Sequence, residues 1–146
     1  MKNQKGFTLI ELLLVLAIIG IISAIAIPAL LGQRESARQK ATTAAASAIK
    51  AELVVWAEQT RKGGGTPTAT AAVSAVMAMP QYTFPAVKNA YTPTASPYKA
   101  AAAGANGEVG LVAGSTASPD GQSYGSVTVS YQYLNGSGSA IVGIDQ

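Results

Sequence analysis

Residues 6–31 read GFTLIELLLVLAIIGIISAIAIPALL, and from Phe7 onward one acid, Glu11, interrupts a stretch that is otherwise uncharged. Residues 12–31 hold no charged side chain at all. A helix of about 20 such residues is long enough to cross the hydrocarbon core of a bilayer. The side chains are apolar on every face of the helix, whereas a helix packed on a soluble core keeps one polar side. MKNQKG, the segment just ahead, is short, basic through Lys2 and Lys5, and ends on Gly6. A secretory signal carries its small-residue cleavage site after the apolar run, so that the run is discarded. No Ala-x-Ala site bounded by a polar stretch follows this one, so the expectation is a retained membrane helix. A carboxylate inside it costs about 2.5–3.5 kcal/mol on insertion scales. Glu11 therefore either meets a cationic partner or snorkels to the membrane surface.

Beyond the apolar run the composition changes while the helical signal persists. The segment from Gln33 to Lys62 is rich in Ala, Glu, Lys, Arg and Gln, all good helix formers. Ala37, Ala41, Ala45, Ala48, Ile49, Leu53 and Trp56 recur at three- and four-residue spacing, which predicts an amphipathic continuation of the helix with Arg38, Lys50, Glu58 and Arg61 outward. Gly63, Gly64 and Gly65 supply the stop, with Arg61 and Lys62 where the helix dipole favours cations.

Thr66 to Gly107 reads as a connecting region broken by Pro67, Pro80, Pro85, Pro93 and Pro97, with a short helix expected over Ala69–Met79 that turns Val73, Val76 and Met77 to the core. The C-terminal part reads as strands. In Ser126–Leu134, Val127, Val129, Tyr131 and Tyr133 alternate with polar residues, so one face is apolar and the other wet. Asn135 and Gly136 are expected to supply positive φ angles for a tight turn, with Ser139–Ile144 returning as partner strand. Glu108–Ala113 is a third strand, joined through a turn at Pro119, Asp120 and Gly121. One apolar sheet face and one apolar helix stripe pack together, giving an α+β fold: a long N-terminal helix on a small antiparallel sheet.

The totals exclude whole classes of function. Without cysteine or histidine, thiol chemistry, disulfides, the usual zinc sites and imidazole bases are all ruled out. Charged residues are 12% against 49% hydrophobic, and after the long helix only Lys88 and Lys99 are cationic, too few for a nucleic-acid groove. Glu108, Asp120 and Asp145 are the acids of that region, short of the oxygens calcium requires, and Asp120-Gly121 reads as a plain turn. Tyr131 and Tyr133 have the spacing of a sheet's core face, so packing explains them better than a conducting stack. No acid, base and nucleophile come together as an enzyme would need, and no cofactor or metal is expected. Serines and threonines beside prolines are compatible with O-glycans.

Gly6-Phe7-Thr8-Leu9-Ile10-Glu11 followed by the apolar run closely resembles the start of class III prepilins, the type IV pilins and their pseudopilin relatives. The resemblance implies cleavage after Gly6 by a prepilin peptidase and N-methylation of Phe7, leaving 140 of the 146 residues and taking the net charge from +3 to +1. It implies a subunit held in the inner membrane and then polymerised with identical subunits by a pilus assembly machinery into a cell-surface filament. Glu11, the fifth mature residue, would meet the N-terminal amine of a neighbour. Gly20 and Pro28 bracket a stretch that either unwinds on assembly or holds a static kink. The expected organisation is a leader at 1–6, a membrane and assembly half-helix at 7–31, an amphipathic half-helix at 32–62, a connecting region at 63–107 and a sheet region at 108–146. The rival role is a pseudopilin of a type II secretion system; a membrane-anchored enzyme and a conductive subunit come behind both. Many type IV pilins close the C-terminal region with a disulfide, which this sequence cannot form, so sheet hydrogen bonds and packing alone are expected to hold it.

Overall fold

The structure is a computed structural model that describes residues 6–83 and 88–145. Lys2, Lys5 and Pro85, which entered the sequence reading, lie outside the described residues. The elements are helix α1 (Leu9–Lys62), helix α2 (Ala69–Met77), a 3-10 turn (Pro80–Tyr82), and strands β1 (Tyr98–Lys99), β2 (Val109–Ala117), β3 (Ser123–Tyr133) and β4 (Gly136–Gly143). Contacts divide the chain into two compact units, with the boundary between Ser36 and Ala37.

The first unit holds the apolar part of α1. Phe7 and the Leu, Ile and Val side chains that follow as far as Leu31 are exposed. Helix continues through Gly20 and Pro28 without interruption, although Pro28 has no N–H for the Ala24 carbonyl.

The second unit is the α+β domain. From α1 it buries Thr42, Ala46, Ile49, Leu53 and Ala57, a stripe at three- and four-residue spacing. Ile49 and Leu53 were expected there, but Ala37, Ala41 and Ala48 are exposed, and Ala45 and Trp56 are half-buried. The stripe is rotated because small residues pack on either side of the helix, and periodicity among alanines does not say which side the sheet takes. α1 ends in a Schellman motif: Gly64 sits at φ +78°, its N–H bonded to the Arg61 carbonyl at 2.9 Å, and the Gly65 N–H reaches the Thr60 carbonyl at 2.9 Å.

The expected connecting region is more ordered than its prolines suggested. Thr68 caps α2 by accepting from the Ala71 N–H at 3.3 Å, and α2 buries Ala69, Ala72, Val73 and Val76. Tyr82 and Tyr98 meet edge to face with centroids 5.2 Å apart. The sheet order is β1-β2-β3-β4. β2, β3 and β4 are antiparallel as expected, and the short β1 adds a parallel edge, making the sheet mixed. Val109, Leu111, Val127, Val129 and Val142 face the core with Ile144. Between β2 and β3, Gly121 turns with φ +84°, beside Asp120 as the sequence indicated.

The β3–β4 turn differs from its expectation. Tyr133 pairs with Gly136, so Leu134 and Asn135 are the turn residues, and neither they nor Gly136 has a positive φ. The Asn-Gly pair is one residue out of register with the turn. Glycine in β4 serves instead as floor: Tyr131 pairs with Gly138 and Tyr133 with Gly136. A Cβ on Gly138 would run into the Tyr131 ring and one on Gly136 would crowd the Tyr133 ring, and the two rings stack 6.3 Å apart. Gly110 has a comparable duty on the opposite face, where the backbone of Ala101, Ala102 and Ala103 crosses directly over it and the Ala103 N–H bonds to Ser130 Oγ at 2.9 Å.

Candidate functional site

Gly6 and Phe7 precede α1, and the Phe7 side chain is 88% exposed. Among the described residues nothing stands within 4 Å of where a Gly6 Cβ would be. Thr8 is the next residue and α1 begins at Leu9. The Glu11 N–H points to Thr8 Oγ1 at 3.3 Å, while Glu11 Oε2 accepts from the Thr8 N–H at 3.0 Å and from the Thr8 hydroxyl at 2.8 Å. This is a reciprocal capping box, in which an N-cap hydroxyl and a carboxylate three residues on satisfy each other's orphan donors. It also places a negative charge at the positive end of the helix dipole.

The carboxylate is not exhausted by this arrangement. Both Thr8 contacts fall on Oε2, and among the described residues Oε1 has no partner. One oxygen orients the side chain, and the other is open to a cation from outside the chain. Thr8 was not singled out in the sequence reading, although the Thr-x-x-Glu pattern at the head of an apolar run was there to be read. Gly20 and Pro28, both on exposed helix of the first unit, are not brought into contact with this cap in sequence or along the helix.

In the second unit Arg61 is a further residue that the sequence reading did not assign to the C-terminal strands. Its Nη1 pairs with Glu58 Oε1 at 2.7 Å, and its Nη2 donates to the Ile144 carbonyl at 2.7 Å. The backbone just past β4 is thus fastened to the end of α1 by a charged donor, a tie beyond the sheet hydrogen bonds and packing expected to act alone. No local pattern reveals a bond across 83 positions. Asp120 and Asp145 share a recess with Ser118 and Tyr124, and no group of three or more potential metal ligands occurs among the described residues.

Residues 1–27 match the family described as the prokaryotic N-terminal methylation motif. The chain is 57% identical over 44 residues to the type IV wide pilus major component PilA4 of Thermus thermophilus, covering 30% of this chain and 34% of that protein. It is 79% identical over 28 residues to a fimbrial protein of Pseudomonas aeruginosa, covering 19% and 18%. It is 48% identical over 44 residues to the type II secretion system core protein G of Vibrio cholerae, covering 30% of each. The matched parts thus span about a third or less of these relatives. No solved structure matches the chain.

Proposed function

We propose, from the premise that this chain carries the N-terminal segment of the type IV pilins and pseudopilins, that it is a structural subunit of a type IV pilus-like filament. Prepilin peptidase cuts after Gly6 and methylates Phe7. Residues 7–31 hold the subunit in the inner membrane, and the same residues then pack against other copies in a cell-surface fibre. The role is structural rather than enzymatic.

The observation that carries this reading is the divided carboxylate of Glu11. Oε2 is fixed by Thr8, and Oε1 is open at the start of a helix whose apolar side chains are uncovered. In the low dielectric of a lipid or helix-bundle interior an open carboxylate oxygen seeks a cation, and cleavage after Gly6 creates one, the amine of Phe7, on every neighbouring copy. Supporting it, the chain is 57% identical over 44 residues to PilA4, which is named as a pilus major component.

The identity with core protein G favours a second reading, a pseudopilin in the short filament of a secretion system. Mass spectrometry of fibres sheared from the cell surface tests the first: their main component should begin at N-methylated Phe7. A component beginning at Met1 would overturn the processing, and processed protein that never leaves the cell envelope would favour the pseudopilin.

A further inference from the structure

We propose that Asn135 is a site of spontaneous deamidation, and that the fold confines this reaction to the β3–β4 turn by locking the other Asn-Gly bond of the chain. The chemistry needs no enzyme, partner or filament, only water.

Asparagine followed by glycine is the dipeptide most open to this reaction, because a glycine has no Cβ to keep its backbone nitrogen from closing on the preceding side chain. The sequence holds two such bonds, Asn106-Gly107 and Asn135-Gly136. In each, the glycine nitrogen would bond to the asparagine Cγ and give up its proton, while the Cγ–Nδ2 bond breaks and the amide leaves as ammonia. Water then opens the cyclic imide to aspartate or isoaspartate. The nitrogen can attack only when it leaves its own hydrogen bond and the asparagine backbone rotates, and the two sites differ in both respects.

Asn106-Gly107 is held from several sides. The Gly107 N–H donates to the Gln132 carbonyl at 2.7 Å, and the Asn106 carbonyl accepts from Asn89 Nδ2 at 3.2 Å. Asn89 is itself only 3% exposed, and its Oδ1 accepts from the Tyr91 and Thr92 N–H groups at 2.8 and 3.1 Å. Gly107 is buried at φ +79°, with Asn89 and Tyr91 standing where a Cβ would go. Asn135 has no such clamp. It lies in the exposed two-residue turn between β3 and β4, and its side chain has no hydrogen-bond partner among the described residues. Gly136 belongs to the terminal pair of the hairpin, opposite Tyr133, where a ladder opens first when it frays. The Asn-Gly pair that does not serve as a positive-φ turn is thus the one left free to react. Its product puts a negative charge on the turn, and isoaspartate also lengthens the main chain beside the Tyr133–Gly136 pair.

The test incubates the full chain, folded in detergent, in warm and mildly alkaline buffer, with a parallel sample in urea, and follows both sites by peptide mapping in the mass spectrometer. The two hydrogen bonds that hold Asn106-Gly107 correspond to roughly a 30-fold slowing, so in the folded chain acid should accumulate at Asn135 about that much faster than at Asn106. In urea the two rates should converge, because both sites are then plain Asn-Gly bonds. Asn135→Gln, whose longer side chain closes the ring poorly, should abolish the acidic form on isoelectric focusing. Equal rates in the folded chain, faster loss at Asn106, or an Asn135 amide that survives folded incubation while the urea sample converts would overturn the proposal. A difference that persists undiminished in urea would overturn it too, since neighbouring sequence rather than the fold would then set the rates.

Discussion

At Glu11 one carboxylate serves a local and an intermolecular purpose, and substitution can separate them. Glutamine fills the third helical position of a capping box nearly as well as glutamate, so Glu11→Gln should keep the start of α1 while losing the charge for a neighbour's amine. Thr8→Ala does the reverse, removing the cap at a cost of about 1 kcal/mol and leaving the carboxylate in place. If assembly depends on the charge, fibre yield should collapse in Glu11→Gln, with processed subunit still in the membrane, and fall much less in Thr8→Ala. Sheared fibre measured against membrane subunit gives the answer, and normal fibres from Glu11→Gln would show that the carboxylate merely tolerates its surroundings. Glu11 was conspicuous in the sequence because a charge in an apolar run is itself improbable. Gly110 was not, because its necessity comes from a loop 7–9 residues earlier that folds back over it, and nothing in an isolated glycine announces what will cross it.

Elements were legible where a short-range pattern set them. α1 keeps its helical signal across a change of composition and stops on three glycines, and the core strand β3 alternates with period two. α2 buried Val73 and Val76 as its spacing implied. Illegible features were those decided by partners distant in sequence: the parallel β1, the side of α1 given to the sheet, and the tie from Arg61 to the Ile144 carbonyl just past β4. That tie should be measurable. Arg61→Met keeps the aliphatic packing but removes the donor to the Ile144 carbonyl, and a hydrogen bond from a charged group is worth about 1.5–3 kcal/mol. With a third of the Arg61 side chain exposed, we expect the lower part of that range in denaturant unfolding, together with faster amide exchange in β4. The loop between β1 and β2 gives a pH dependence. The Lys99 ammonium bonded to Glu108, helped by the Gly104 and Ala105 amides, holds its carboxyl below the usual value of 4.5. A lowered folded-state pKa stabilises above the unfolded value and is lost as the pH falls through the folded one, so Glu108→Gln should flatten the melting-temperature profile below pH 4.5. Tyr98 works at the other limb. Burial, and secondarily Tyr82, push its phenol from 10.0 up to about 12, so its contribution is full below pH 10 and disappears as the pH rises through about 12. Tyr98→Phe should therefore lose less stability than the unaltered chain over that alkaline window.

For the whole molecule, the division between Ser36 and Ala37 separates two kinds of surface. Residues 37–145 bury a core shared by α1, α2 and the sheet, enough for a small domain to close on itself. From Phe7 to Leu31 the large apolar side chains have no cover among the described residues: Leu9 is 75% exposed and Ile25 73%. Soluble monomers rarely leave so large an apolar patch in water, so lipid or other copies must cover it, and solubility and polymerisation should both be decided there. A chain truncated to begin at Ala37 is expected to be soluble and monomeric in the ultracentrifuge. It should show both helix and sheet in circular dichroism and unfold in one cooperative transition, because every residue of the buried core lies beyond the cut. Expressed beside the full chain, it should be absent from sheared fibres, having lost the segment that packs. Sheet lost on truncation would mean that the first unit is needed to fold the second, although the buried core lies wholly within residues 37–145. Incorporation of the truncated chain into fibres would place the assembly contacts on the α+β domain and remove residues 7–31 from that role.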